Sequence, residues 1–121
     1  MSWVELSCRG TDLHRFRDLG FRPCGAAGSS RVMLENGVGH SVPTRMLPSD
    51  VPFIGASGES DDAYPQVFAC DGREFASVEH LDGTPVIFAD DDGNPQEDSL
   101  KDAKRYARVL KLAQDVLGVR K

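Results

Sequence analysis

The chain has 121 residues, 40% of them apolar and 7% aromatic, with a net charge of −5. That length suits one domain that builds its own core without disulfide or metal support. No run approaches the ~20 apolar residues of a membrane span, and the first residues lack the apolar stretch of a secretory signal; both point to a soluble, cytoplasmic protein.

The net charge conceals a segregation along the chain. Residues 1–49 carry six arginines and four acids, residues 50–98 thirteen acids and one base (Arg73), and residues 99–121 seven bases and two acids. Charge sorted in this way sets up surface fields that bear on partners and association rates, not on fold.

Ser2 to Cys8 alternates Val4, Leu6 and Cys8 with Trp3, Glu5 and Ser7, which predicts a half-buried strand. Thr11 or Asp12 then caps a short helix with Leu13, Phe16 and Leu19 on one side. Gly20 stops it, and Phe21 just beyond is placed to fold back on Phe16. Arg22 to Ser30 reads as a connector. Its Gly-Ala-Ala-Gly-Ser-Ser lacks the Lys-Ser/Thr ending of a phosphate loop.

Asn36-Gly37, between Arg31–Glu35 and Val38–Val42, predicts a type I′ hairpin with Glu35 opposite Val38 and Met33 opposite His40. Neither face is cleanly apolar, which places that hairpin at a periphery with His40 on the surface. Pro43 to Asp62 holds three prolines and no helical period, so it reads as a long loop. Within it Val51–Ala56 forms at most a short edge strand, because Pro52 cannot donate to a ladder. It ends in the acidic run Glu59, Asp61 and Asp62.

From Tyr64 the pattern becomes regular. Asp71-Gly72 and Asp82-Gly83 separate three apolar runs, predicting a three-stranded meander. Two-residue turns pair Phe68 with Phe75 and Val78 with Ile87. One face then carries Val67, Ala69, Ala76, Val78, Ile87 and Ala89, and the other Phe68, Phe75 and Phe88. A helix follows, with Asn94 as N-cap, Pro95 at its first position and Gly118 as its end. Leu100, Ala103, Ala107, Leu110, Ala113 and Leu117 form its apolar stripe. The expected fold class is α+β: an antiparallel β-meander or sheet, a long C-terminal helix packed on one face, and a short N-terminal helix. Residues 1–121 form a single domain, divided into 1–42, the loop 43–63, and the meander plus helix 64–121.

Chemistry-bearing patterns are sparse. Cys8, Cys24 and Cys70 contain no CxxC pair, and His14, His40 and His80 stand at no metal-binding spacing from them. A metal- or thiol-dependent site built from these residues is therefore a secondary reading. Asp90-Asp91-Asp92-Gly93-Asn94 resembles a cation loop but fails the EF-hand spacing, leaving it as a solvated turn. No GxSxG, HExxH or comparable catalytic grouping is present, so neither a catalytic residue nor a cofactor is assigned. The density of acids disfavours direct nucleic-acid binding. What remains is an interaction rim of Glu59, Asp61, Asp62, Asp90, Asp91 and Asp92, suited to a partner protein with a basic surface. The Phe68/Phe75/Phe88 face is a candidate contact for a partner or for a second copy in a homo-oligomer.

Overall fold

The computed structural model describes residues 4–23, 31–36 (main chain), 47–58, 65–81 and 84–118. Its elements are β1 (Val4–Arg9), α1 (Leu13–Arg17, preceded by a 3-10 turn at Gly10–Asp12), β2 (Phe21–Pro23), β3 (Arg31–Asn36), β4 (Pro52–Ser57), β5 (Gln66–Asp71), β6 (Phe75–Leu81), β7 (Thr84–Pro85) and α2 (Glu97–Leu117). The strands make one antiparallel sheet in the order β2-β3-β1-β4-β5-β6-β7. The α+β class stands, and the sheet reaches well beyond the meander.

Its centre is the segment that reads as a loop. β4 pairs with β1 on one edge (Cys8 with Phe53) and with β5 on the other (Ile54 with Ala69). Proline is tolerated there because Pro52 is the first residue of the strand, where a missing N–H interrupts no interior rung. β3 is flanked as well. Glu35 faces Glu5 of β1 and Arg22 of β2, so its edges are already taken where the Asn36-Gly37 hairpin would pair Glu35 with Val38. The second arm of that hairpin, Val38–Val42, lies outside the described residues.

The first meander turn also differs. Asp71 precedes the loop instead of sitting in it: its Oδ1 accepts the N–H groups of Arg73 and Glu74, both at 2.8 Å, and Gly72 takes φ +99°. Asp commonly fixes a turn by such side-chain bonds, and positive φ at the first loop position suits glycine. Phe68 therefore pairs with Ser77 and Val67 with Val78. Because the slip is by two residues, each side chain keeps its expected face. At the second turn the expected register holds, with His80 opposite Pro85, but pairing stops there.

Both faces of the sheet are buried. On one, Val67, Ala69, Ala76 and Val78 lie under Tyr106, Val109 and Ala113 of α2. Small side chains on the strands let the helix approach, and burying Val109 contributes about 2 kcal/mol. The stripe is turned from its expected centre: Ala107 is exposed and Leu100 only half-buried, while Tyr106 and Val109 point inward. α2 ends where expected, with Gly118 at φ +73°.

Phe53, Phe68 and Cys70 line the other face with Val4, Leu6 and Cys8, and the N-terminal segment covers it. Phe16 of α1 packs edge-on to Phe21 (6.0 Å between centroids) and to Phe53 (5.5 Å). Gly20, at φ +97°, makes the turn that returns Phe21 to Phe16. Among the described residues no helix is long and apolar enough to cross a membrane.

Candidate functional site

The sheet leaves its outer edge only partly paired. β7 contributes two rungs to β6, and a third hydrogen bond runs from the Val86 N–H to the Glu79 carbonyl at 2.9 Å. The chain then leaves the sheet. Instead of continuing as a strand, residues 88–96 fold into a small hairpin of their own, in which the Gln96 N–H reaches the Phe88 carbonyl at 2.7 Å and Ala89 bridges Pro95. Its tip is Asp90-Asp91-Asp92-Gly93. Asp90 Oδ1 accepts the N–H groups of Asp92 (3.0 Å) and Asn94 (2.9 Å), and Gly93 lies at φ +84°. A turn closed by a left-handed glycine is a common three-residue hairpin loop.

This hairpin takes the residues expected to cap α2. Asn94 and Pro95 belong to it, and the helix begins at Glu97 with Gln96 as N-cap and no side-chain cap bond. Ser99, in the first turn, accepts the Phe88 N–H through its hydroxyl at 2.9 Å, fastening hairpin to helix.

A cleft of about 340 Å³ opens between β6, the hairpin and the first turns of α2. Glu79, Asp98 and Asp102 line it, and Phe88, Val86 and Val78 give it an apolar wall. Ser77 and Gln66 complete one side, the Ser77 hydroxyl donating to Gln66 Oε1. Among the described residues no lysine, arginine or histidine lines it. Glu79 Oε2 is buried and has no hydrogen-bond partner among the described residues.

Three of the five basic residues of α2 are engaged elsewhere, while Lys104 and Lys111 are exposed and enter no ion pair among the described residues. Arg105 donates to Glu74 and to the Phe75 carbonyl, Arg108 binds the same carboxylate at 3.0 Å, and Lys101 pairs with Glu97 at 3.3 Å. The Arg105 hydrogen bond, with help from Arg108, holds the Glu74 carboxyl below the usual range. Arg15 does the same for Asp50 across the N-terminal half. The acid-rich and base-rich segments are thus stitched together at Glu74, while Asp90, Asp91 and Asp92 are exposed and enter no ion pair among the described residues.

The expected aromatic face is divided. Phe68 is fully buried, so it has no surface to offer a second copy; Phe75 stacks on it at 6.0 Å and is half-buried. Phe88 lies apart at the cleft, 41% exposed, because pairing ends at Pro85 before it could join that face. Ile87 and Ala89 are likewise exposed and do not extend the surface under α2. Glu59, Asp61, Asp62, Cys24 and His40 lie outside the described residues.

Among the described residues no three of His, Cys, Asp and Glu group as metal ligands. Cys8 and Cys70 are core residues; His14 is exposed on α1. Burial pushes the Cys8 thiol up to about 11, with nearby Asp12 adding to the effect, and raises Cys70 too. Since the thiolate is the reactive form, Cys8 and Cys70 of the native protein are expected to resist iodoacetamide at about pH 8 and to label in urea. Peptide mass spectrometry reads this directly; rapid native labelling of Cys8 would contradict its place in the core.

Sequence reasoning missed the cleft for a specific reason. Its carboxylates come from β6 and α2, and only the early departure of the chain after Pro85 brings them to one opening. Comparison with protein-family models, with curated proteins and with solved structures finds no match for this chain.

Proposed function

We propose that this chain is a non-enzymatic protein-binding module whose acidic hairpin tip docks on a basic surface of another protein. The observation that carries the reading is the unbalanced tip. Asp90, Asp91 and Asp92 are exposed beside a cleft lined by three more carboxylates. Of the α2 bases, Arg105, Arg108 and Lys101 already have acidic partners, and only Lys104 and Lys111 stand outside the ion pairs of the described residues. Charge of one sign at a rim steers encounter and selects partners of opposite sign. One concrete form is an inhibitor, of the kind phages and mobile elements encode, that occupies the basic groove of a nucleic-acid-handling complex. Phosphate itself is repelled by such a tip.

The test begins with affinity capture from the source cell, followed by binding measurements on the purified pair. Raising salt from about 0.1 to 1 M cuts the screening length from about 10 to 3 Å and is expected to weaken the complex steeply. The triple variant Asp90→Asn, Asp91→Asn, Asp92→Asn is expected to weaken it about tenfold, mainly through a slower association rate. Binding that survives both changes sinks the electrostatic reading.

A further inference from the structure

We propose that the cleft beside β6 seats an arginine side chain presented by the partner protein. The inference rests on the reading of the acidic tip as a docking surface and supplies that surface with an anchor. The cleft is concave and about 340 Å³, roomy enough for one long side chain. Three features of its lining select the occupant.

Charge comes first. Glu79, Asp98 and Asp102 face the cleft, and among the described residues no basic side chain joins its lining. The partial positive charge of the α2 N-terminus, about half a unit, opposes a cation there. Glu97 and Asp98, both in the first turn, outweigh it.

The second feature is an unmet hydrogen bond. Glu79 Oε2 is buried without a donor among the described residues. A carboxylate oxygen removed from water and left unpaired is costly, and a turn of the half-buried Glu79 side chain into the cleft brings it to a ligand's donor and relieves that cost.

Shape is the third. The carboxylates share one opening but do not converge as metal ligands. A single ion cannot span them, whereas a guanidinium spreads five N–H donors over a plane. Phe88 presents an aromatic wall on which that plane can stack. A lysine ammonium is compact and strongly hydrated; it covers less of the spread of the acids and meets an aromatic face less often than a guanidinium does.

The test is a titration of the intact chain, followed through its amide NMR resonances, with three blocked tripeptides: acetyl-Gly-Arg-Gly-amide and its lysine and citrulline counterparts. The arginine peptide is expected to shift Ser77, Glu79, Phe88 and Ser99 saturably, lysine more weakly, and neutral citrulline not at all. Glu79→Gln should weaken arginine binding about tenfold, while the Asp90/Asp91/Asp92→Asn variant keeps the cleft shifts. Should Glu79→Gln fail to fold, Asp102→Asn, at an exposed helix position, provides the same reading. Equal response to lysine and arginine, shifts confined to the hairpin tip, or arginine binding unchanged in a folded Glu79→Gln or Asp102→Asn variant would each overturn the arginine seat and leave the acidic-tip reading standing. Conversely, cleft shifts specific for arginine, alongside a partner complex indifferent to salt and to the tip variant, sink the acidic-tip reading and retain the seat.

Discussion

Replacing Gly55 by alanine is expected to cost about 3 kcal/mol or more, at or beyond the upper end for an overpacked core. Gly55 lies in β4, opposite Leu6 on one side and Phe68 on the other. A Cβ there would stand 2.6 and 2.7 Å from Cε1 and Cζ of the Phe68 ring and would press on the main-chain oxygen of Glu5. The ring can turn aside at some loss of packing. The Glu5 oxygen belongs to the neighbouring strand and moves only if β1 and β4 separate. Adding Phe68→Leu to Gly55→Ala should therefore recover part of the loss and never all of it. Urea unfolding of the single and double variants measures both quantities. A Gly55→Ala midpoint equal to that of the native chain would mean that β1 and β4 do not meet as described.

The second large effect belongs to Phe53. It is fully buried, with its ring 5.5 Å from Phe16, 5.8 Å from Phe68 and 6.0 Å from Phe75. Phe53→Ala leaves a cavity between the sheet and α1 and is expected to cost about 3–5 kcal/mol. Against a total of roughly 5–15 kcal/mol for a domain, that is enough to populate the unfolded state visibly. Phe53→Leu should be milder, and Leu112→Ala, on the exposed side of α2, should stay within about 0.5 kcal/mol. Thermal unfolding ranks the three; an order with Leu112→Ala first would place the main core elsewhere.

Local chemistry made some features legible in the sequence, and distant pairing hid the others. The Gly20 turn that returns Phe21 to Phe16, the small-residue face under α2 and the Gly118 stop each depend on a few neighbouring residues. β4 was legible only as a short edge strand over Val51–Ala56, because Pro52 and Gly55 weaken its signal and its central place comes from β1 and β5 on either side. The cover of the aromatic face was hidden for the same reason: Phe16 and Phe53 meet only through that pairing. At α2, the Asn94-Pro95 start is sound by local preference, yet the hairpin claims both residues, and tertiary context overrides a weak prior. The acidic tip was visible as a run of aspartates. Its connection to a cleft was not, because no periodicity records where a strand stops pairing.

β1 is held on both edges by strands made after it, β3 and β4, and this orders the steps by which the chain folds. During synthesis β1 has no partner until Arg31–Asn36 follows, and its second edge waits for Pro52–Ser57. Of the pairings longer than two rungs, β5 with β6 spans the shortest length of chain. β1 meets β3 and β4, and α2 meets β5, only across a few tens of residues, and contacts distant in sequence close late. The β5–β6 hairpin is therefore the first of these pairings expected to close. Until β1 and α1 are in place, the faces of Phe53 and Phe68 that the N-terminal segment covers stand open to water and to any chaperone that binds exposed aromatics.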